Sequence, residues 1–257
     1  MPLWECRFIG LDCRAVLPVS SGKANLRSRD DMLTQHQVFV KFPKETIIWI
    51  RPSKVNHYIS SKRPMTRKLE KFVKPTNPIS RPIKKIAKLL HPFVLNESAF
   101  SNVNNFESCY QFCRIADLAK HKSDYKKSIW YKNVSADIDK FGKHMHKKIC
   151  LQSNQDVEAF FVEYALELIN SMEKSGYDEK RARDYGTAII GKNGEVYKSG
   201  SGRHRFSAAK IAGTPRFPLW IIGVHMQFLD TEKIYLAARN FKTEIQRVVR
   251  YVEEENS

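Results

Sequence analysis

The sequence predicts an α+β (mixed α/β) fold built on a small mixed sheet, with a basic, mostly helical insertion and a C-terminal helix. Three observations predict it. Residues 186–224 read as strand, hairpin, strand, glycine loop, helix and strand, a compact unit that mixes both structure types. Residues 157–173 place apolar side chains at spacings of three and four, as a helix requires. Positive charge is concentrated in two blocks outside both of these segments.

Composition bounds the reading. The chain has 257 residues, 42% hydrophobic and 28% charged, which is the balance of a globular protein. It holds no run of about 18 apolar residues, so no membrane partner is expected. The N-terminal stretch MPLWECRFIGLDCRAVLPVSSGK has no basic start followed by an apolar block, which argues against a secretory signal. The cysteines, Cys6, Cys13, Cys109, Cys113 and Cys150, are odd in number and sparse, unlike a disulfide framework. A reducing, cytoplasmic setting is therefore expected.

The net charge is +17. Residues 51–90 hold 12 Lys and Arg against one acid, and residues 120–150 hold nine Lys against three Asp. Residues 151–257 are neutral, with 15 basic and 15 acidic side chains. The first block is interleaved with Tyr58, Phe72 and prolines, so both blocks are candidates for contact with nucleic acid or another polyanion.

Taken in order, residues 37–42 (QVFVKF) and 46–50 (TIIWI) read as strands, rich in β-branched and aromatic side chains. Pro52 then turns the chain. Residues 60–82 read as a basic, irregular connection, and residues 83–90 as a short helix. Residues 96–105 are polar and loop-like, and residues 106–120 read as helical. The helix at 157–173 has Asp156 as its expected N-cap and Gly176 as its stop. Its expected apolar face is Val157, Phe160, Phe161, Tyr164, Leu168 and Met172.

Residues 186–191 (GTAIIG) form an apolar strand, Asn193-Gly194 signals a hairpin turn, and residues 195–198 (EVYK) return. A helix at 203–212 ends at Gly213, and residues 217–224 (FPLWIIGV) form a buried strand. A long helix at 230–255 closes the chain, with Phe241, Ile245, Val248 and Val252 as its stripe. That stripe suits core packing, with a homodimer contact as the alternative. The expected organisation is an N-terminal segment at 1–60 whose strands join the core, the basic insertion at 61–150, the core at 151–228 and the C-terminal helix at 229–257.

The chemistry concentrates in the loop between the second strand and its helix. Gly200 and Gly202 let a ligand approach the main chain closely. The helix that follows presents N–H groups with no partner inside the helix, and its dipole favours an anion. Arg203 and Arg205 add fixed positive charge in a forked geometry suited to phosphate. Ser199 and Ser201 add hydroxyls, and His204 adds a hydrogen-bond donor that can also carry a proton. The pattern fits neither GxGxxG nor GxxxxGK[ST].

Elsewhere, His144 and His146 with Cys150 are crowded by Lys143, Lys147 and Lys148 and lack a second ligand pair, so a metal site is not expected. Cys109 and Cys113 are expected to pack.

The run from Gly202 to Gly213 (GRHRFSAAKIAG), followed by an apolar strand, resembles the phosphate-binding box of the ParB/sulfiredoxin-like superfamily. The stretch IWIRPSKV at 48–55 is similar to that family's other short signature. The resemblance covers residues 185–225 and, more loosely, 46–56. It implies a nucleotide-binding core that takes ATP or CTP with Mg²⁺ through Ser199, Gly200, Ser201, Gly202, Arg203, His204 and Arg205. Its enzymatic form would be an NTP-dependent phosphotransferase or NTPase, with His204 as the catalytic group.

The chain also departs from the family. Arg203 stands where sulfiredoxins carry a reactive cysteine. Ser199-Gly200-Ser201 lacks the carboxylate that the family's kinases place before the box. Residues 225–257 read as about one helix rather than a helix-turn-helix DNA reader, so a partition role is not expected. The alternative function is nucleic-acid binding through residues 51–90 and 120–150.

Overall fold

A computed structural model describes residues 32–59, 89–146, 149–179 and 185–256. The irregular connection expected at 60–82, most of the helix expected at 83–90, and Cys6 and Cys13 lie outside them. The described chain combines helices with a mixed sheet, the α+β class expected from the sequence.

In chain order the elements are α1 (Gln35–Lys41), β1 (Ile47–Ile50), a 3₁₀ turn (Pro52–Lys54), β2 (His57–Ile59), β3 (Val94–Leu95), a second 3₁₀ turn (Glu97–Phe100) and β4 (Val103–Asn105). Next come α2 (Tyr110–Lys120), α3 (Ile129–Phe141) and the hairpin of β5 (His144–His146) and β6 (Ile149–Leu151). One continuous helical run follows: α4 (Asn154–Ala159), a π-helical segment (Phe160–Leu166) and α5 (Glu167–Ser175). The chain ends with β7 (Gly186–Ile190), β8 (Val196–Ser199), α6 (Arg203–Ile211), β9 (Phe217–His225), α7 (Met226–Thr231) and α8 (Phe241–Glu255).

The sheet runs β1-β9-β7-β8-β2-β4, and β3 also pairs with β9. β9 is parallel to β7 and β3 and antiparallel to β1. β1 pairs with its first half and β3 with its end. Seven of its nine residues are buried, which explains why FPLWIIGVH reads as a nearly continuous apolar run rather than an alternating one. β7 and β8 form the expected hairpin across Asn193-Gly194, with Gly194 at φ +83°.

Two short signatures far apart in sequence meet through Lys210. Its Nζ donates to the carbonyls of Ser53 (3.1 Å) and Val55 (3.1 Å) and to Asn56 Oδ1 (3.2 Å), and it lies 3.3 Å from Glu107 Oε1. The end of α6 is thereby tied to the 3₁₀ turn that follows β1.

Four expectations are corrected. Residues 37–42 belong mostly to α1 and not to a strand. Thr34 Oγ1 accepts from the Gln37 N–H, and Gln37 Oε1 accepts from the Thr34 N–H. This reciprocal cap starts a helix that β-branched content alone would disfavour. Residues 96–105 are not a simple loop, because β4 pairs antiparallel with β2 through its backbone. Asn104 and Asn105 are exposed on this sheet edge, so the strand carries no apolar signature.

At the third correction, Ser153 is the N-cap of α4, and Asp156 completes the capping box from its third position. Gly176, at φ +66°, closes α5 as expected. Lastly, the helix expected at 230–255 is confined to α8, because residues 230–231 end α7 and residues 232–240 are not helical. Ile234 and Leu236 are both buried, a spacing of two that one helix cannot place on one face. The chain leaves the helix at Glu232 and passes through Lys233 at φ +51°.

In α8 the stripe of Phe241, Ile245, Val248 and Val252 is buried within this chain's own core. Phe241 stacks on Phe42 (4.7 Å) and meets Phe93 edge-on (5.4 Å). Ile245→Ala is therefore expected to lower unfolding stability by roughly 2–5 kcal/mol, measurable by urea denaturation. A change below about 0.5 kcal/mol, the level of a typical surface substitution, would place that stripe outside the core.

Candidate functional site

The glycine loop is built around a buried lysine. Alternation along β8 places Lys198 on the same face as Val196, and both are buried. The Lys198 Nζ donates to the carbonyls of Thr187 (3.1 Å), Ser199 (2.5 Å) and Ser201 (2.5 Å). Three acceptors match the three N–H donors of an ammonium. Burial first, then the nearby Arg203 charge, pushes this amine down from its ordinary 10.5 to about 7, while Cys109 pulls it the other way. The loop carbonyls of Ser199 and Ser201 thus bind inward, to the protein's own buried amine.

Two glycines set the entry to α6. Gly202 is its N-cap at φ +74°, a left-handed conformation. A Cβ there would come 2.8 Å from the Gly186 Cα on β7, so loop and strand touch backbone to backbone. The Ser201 N–H bonds Thr187 Oγ1 (3.2 Å). The first α-helical bond of α6 runs from the Phe206 N–H to the Gly202 carbonyl (3.0 Å). Among the described residues no side chain caps this helix, and its first turn contains no acid. An uncapped N-terminus flanked by arginines is the arrangement that attracts an anion.

The expected site residues divide in the structure. Gly200, Ser201, Gly202, Arg203, His204 and Arg205 line one cleft of about 480 Å³. Ser199 does not line it: its side chain is buried at the end of β8, and its contribution is the carbonyl that holds Lys198. Arg203 Nη1 donates to the Tyr58 hydroxyl (2.8 Å), and its guanidinium lies 5.4 Å from that ring. One of its five N–H donors is thereby used to aim the rest. Arg205 also borders a smaller neighbouring pocket, which it shares with Glu163, Glu167 and Asp178.

His204 is held in a stack of rings. It lies 5.6 Å from the Trp130 ring and 5.5 Å from the His146 ring, which is inclined to it by only 23°. His146 in turn contacts Phe160 (4.9 Å) and Tyr164 (5.6 Å). The start of α6 is thus packed against α3, the β5–β6 hairpin and the π-helical segment.

Four cleft residues are absent from the site read in the sequence: Gln111, His146, Tyr164 and Leu168. Tyr164 and Leu168 were expected on the apolar face of the helix, and the π-helical segment changes this. Phe161, Ala165 and Ile169 are fully buried, so the core stripe continues at spacings of four through the wide turn. Tyr164 and Leu168 are displaced to the flank and line the cleft. No sequence signal marks Gln111, and His146 stands out only beside His144 and Cys150; both reach the cleft through long-range packing. Lys198 did leave a signal, as a charge at an inward position of an alternating strand.

The remaining candidates separate from the cleft. His144 Nδ1 pairs with Asp137 Oδ2 (2.7 Å), away from the His146 stack. Among the described residues no group of three or more His, Cys, Asp or Glu is placed to hold a metal. Cys109 is buried at the N-cap of α2, and Cys113 is exposed. Within the second basic block, Lys122, Lys126 and Lys127 pair with Glu173, Glu158 and Asp124. No described helix is long and apolar enough to cross a membrane.

Comparison with protein-family models, curated proteins and solved structures gives no match.

The Lys198 amine makes stability pH-dependent. The unfolded chain keeps this proton up to about 10.5, whereas the folded amine releases it near 7. Between those values the unfolded state binds the extra proton, so stability rises with pH and is lost as pH falls through 7. Denaturation midpoints from pH 6 to 10 should rise in the parent relative to Lys198→Met. A difference that stays constant over this range would contradict the assignment.

Proposed function

We propose that the chain binds the phosphates of a nucleotide, ATP or CTP, in the cleft at the start of α6, as a ParB/sulfiredoxin-like nucleotide-binding protein. The observation that carries this reading is the uncapped α6 N-terminus. It opens on a cleft lined by Arg203, His204 and Arg205, and no carboxylate among the described residues lines that cleft. The inward-bonded Ser199 and Ser201 carbonyls strengthen it, because they keep lone pairs from facing a bound anion. Arg203 and Arg205 grip phosphate oxygens, the α6 amides receive one of them, and His204 supplies a further donor. Mg²⁺ enters with the nucleotide, held chiefly by its phosphates. Where binding leads to phosphotransfer or NTP hydrolysis, His204 is the group positioned for proton transfer.

A thermal-shift series with ATP, CTP and GTP, with and without Mg²⁺, tests this. A nucleotide at a hundredfold excess over its Kd should add about 2.7 kcal/mol of stability. The double variant Arg203→Ala/Arg205→Ala should abolish the shift. No shift with any nucleotide at millimolar concentration would overturn the reading. Binding of DNA or RNA that survives the double variant and weakens steeply with salt would instead favour the basic blocks at 51–90 and 120–150.

A further inference from the structure

The wall of the cleft facing the glycine loop differs chemically from the loop. Besides His146 from β5, which is packed in the ring stack, it is built by Gln111 from α2, Tyr164 from the π-helical segment and Leu168 from α5. The last three side chains are a carboxamide, a phenol ring and an aliphatic group, and none of the three carries a formal charge. A π-helical turn is rare and recurs at functional sites. Here it moves Tyr164 and Leu168 off the core stripe that Phe161, Ala165 and Ile169 occupy. Tyr164 stays fixed in place, 5.2 Å from the Phe160 ring and 5.6 Å from His146. A ring, an aliphatic side chain and one amide bearing both donors and an acceptor are the parts that bind a planar heterocycle. The volume, about 480 Å³, lies in the range of small-molecule sites.

We infer that Tyr164, Leu168 and Gln111, none of them in the loop motif, form the subsite that takes the nucleobase. Tyr164 and Leu168 take the face of the base, and the Gln111 carboxamide meets its hydrogen-bonding edge. The inference rests on the phosphate reading of the loop, since it is the bound phosphates that bring the base to this wall.

Calorimetric titration of the full chain with tripolyphosphate, ATP, CTP and GTP separates the two ideas. At least one nucleotide should bind about tenfold or more tightly than tripolyphosphate, the scale of one base–aromatic stack. Tyr164→Ala should remove most of that advantage, and the loss should fall on the nucleotide and not on tripolyphosphate. Tyr164→Phe, which keeps the ring, should retain it. Gln111→Ala, a change at a half-buried helix position, should alter the ranking among bases. Equal affinity for nucleotides and tripolyphosphate would overturn the subsite while leaving the phosphate reading standing, as would a nucleotide advantage that survives both alanine variants. Failure of a folded chain to bind either ligand would overturn the loop reading and the subsite with it.

Discussion

A single buried amine holds the glycine loop in shape. The Lys198 Nζ gathers three carbonyls, from Thr187 on β7 and from Ser199 and Ser201 around the loop. A loop rich in glycine would otherwise have many backbone conformations of similar energy. Fixing two of its carbonyls to one internal amine removes much of that freedom. A charge this deep is costly unless every donor is used, and here each N–H has an acceptor. Removing the amine leaves three carbonyls to find new partners, so loop geometry and core stability depend on the same group.

The rest of the core places this loop against a wall it could not supply itself. Gly202 and Gly186 bring α6 onto β7 at backbone contact. Phe206 then packs edge-on between Phe106 (5.2 Å) and Phe217 (5.3 Å), which ties α6 to β9 and to the chain entering α2. At the other end Lys210 anchors α6 to the turn after β1. With both ends held, the start of α6 faces α2, the β5–β6 hairpin and the π-helical segment. The stack of Trp130, His204, His146 and Phe160 fills the junction. The charged loop belongs to the sheet core and the uncharged wall to the helical part of the chain.

The core was largely legible in the sequence because its signals are local. Asn193-Gly194, the run GTAIIG and the long apolar stretch of β9 each depend on neighbours a few residues away, and β7, β8, α6 and β9 form as read. Where the reading failed, a nonlocal or subtle term decided. A capping box outweighed the β-branched content of residues 37–42. Backbone pairing with β2 made a strand of the polar residues 103–105. The wider turn of the π-helical segment moved Tyr164 to the flank of the core, where it is half-buried. The site was half legible for the same reason. Residues 200–205 form a contiguous motif and stand together in the cleft, whereas Gln111 and His146 reach it only through tertiary packing. Ser199, expected in the site for its hydroxyl, contributes its carbonyl instead.

The central claim is that the loop turns its carbonyls inward to Lys198 and leaves the α6 amides to meet phosphate. A titration of ¹⁵N-labelled protein with tripolyphosphate, followed through the backbone amide resonances, tests it most directly. The account predicts that the largest shifts fall on the amides of Gly202, Arg203, His204 and Arg205, with saturable behaviour. Shifts confined to the lysine-rich segment at 120–150, with the α6 amides unmoved, would contradict it.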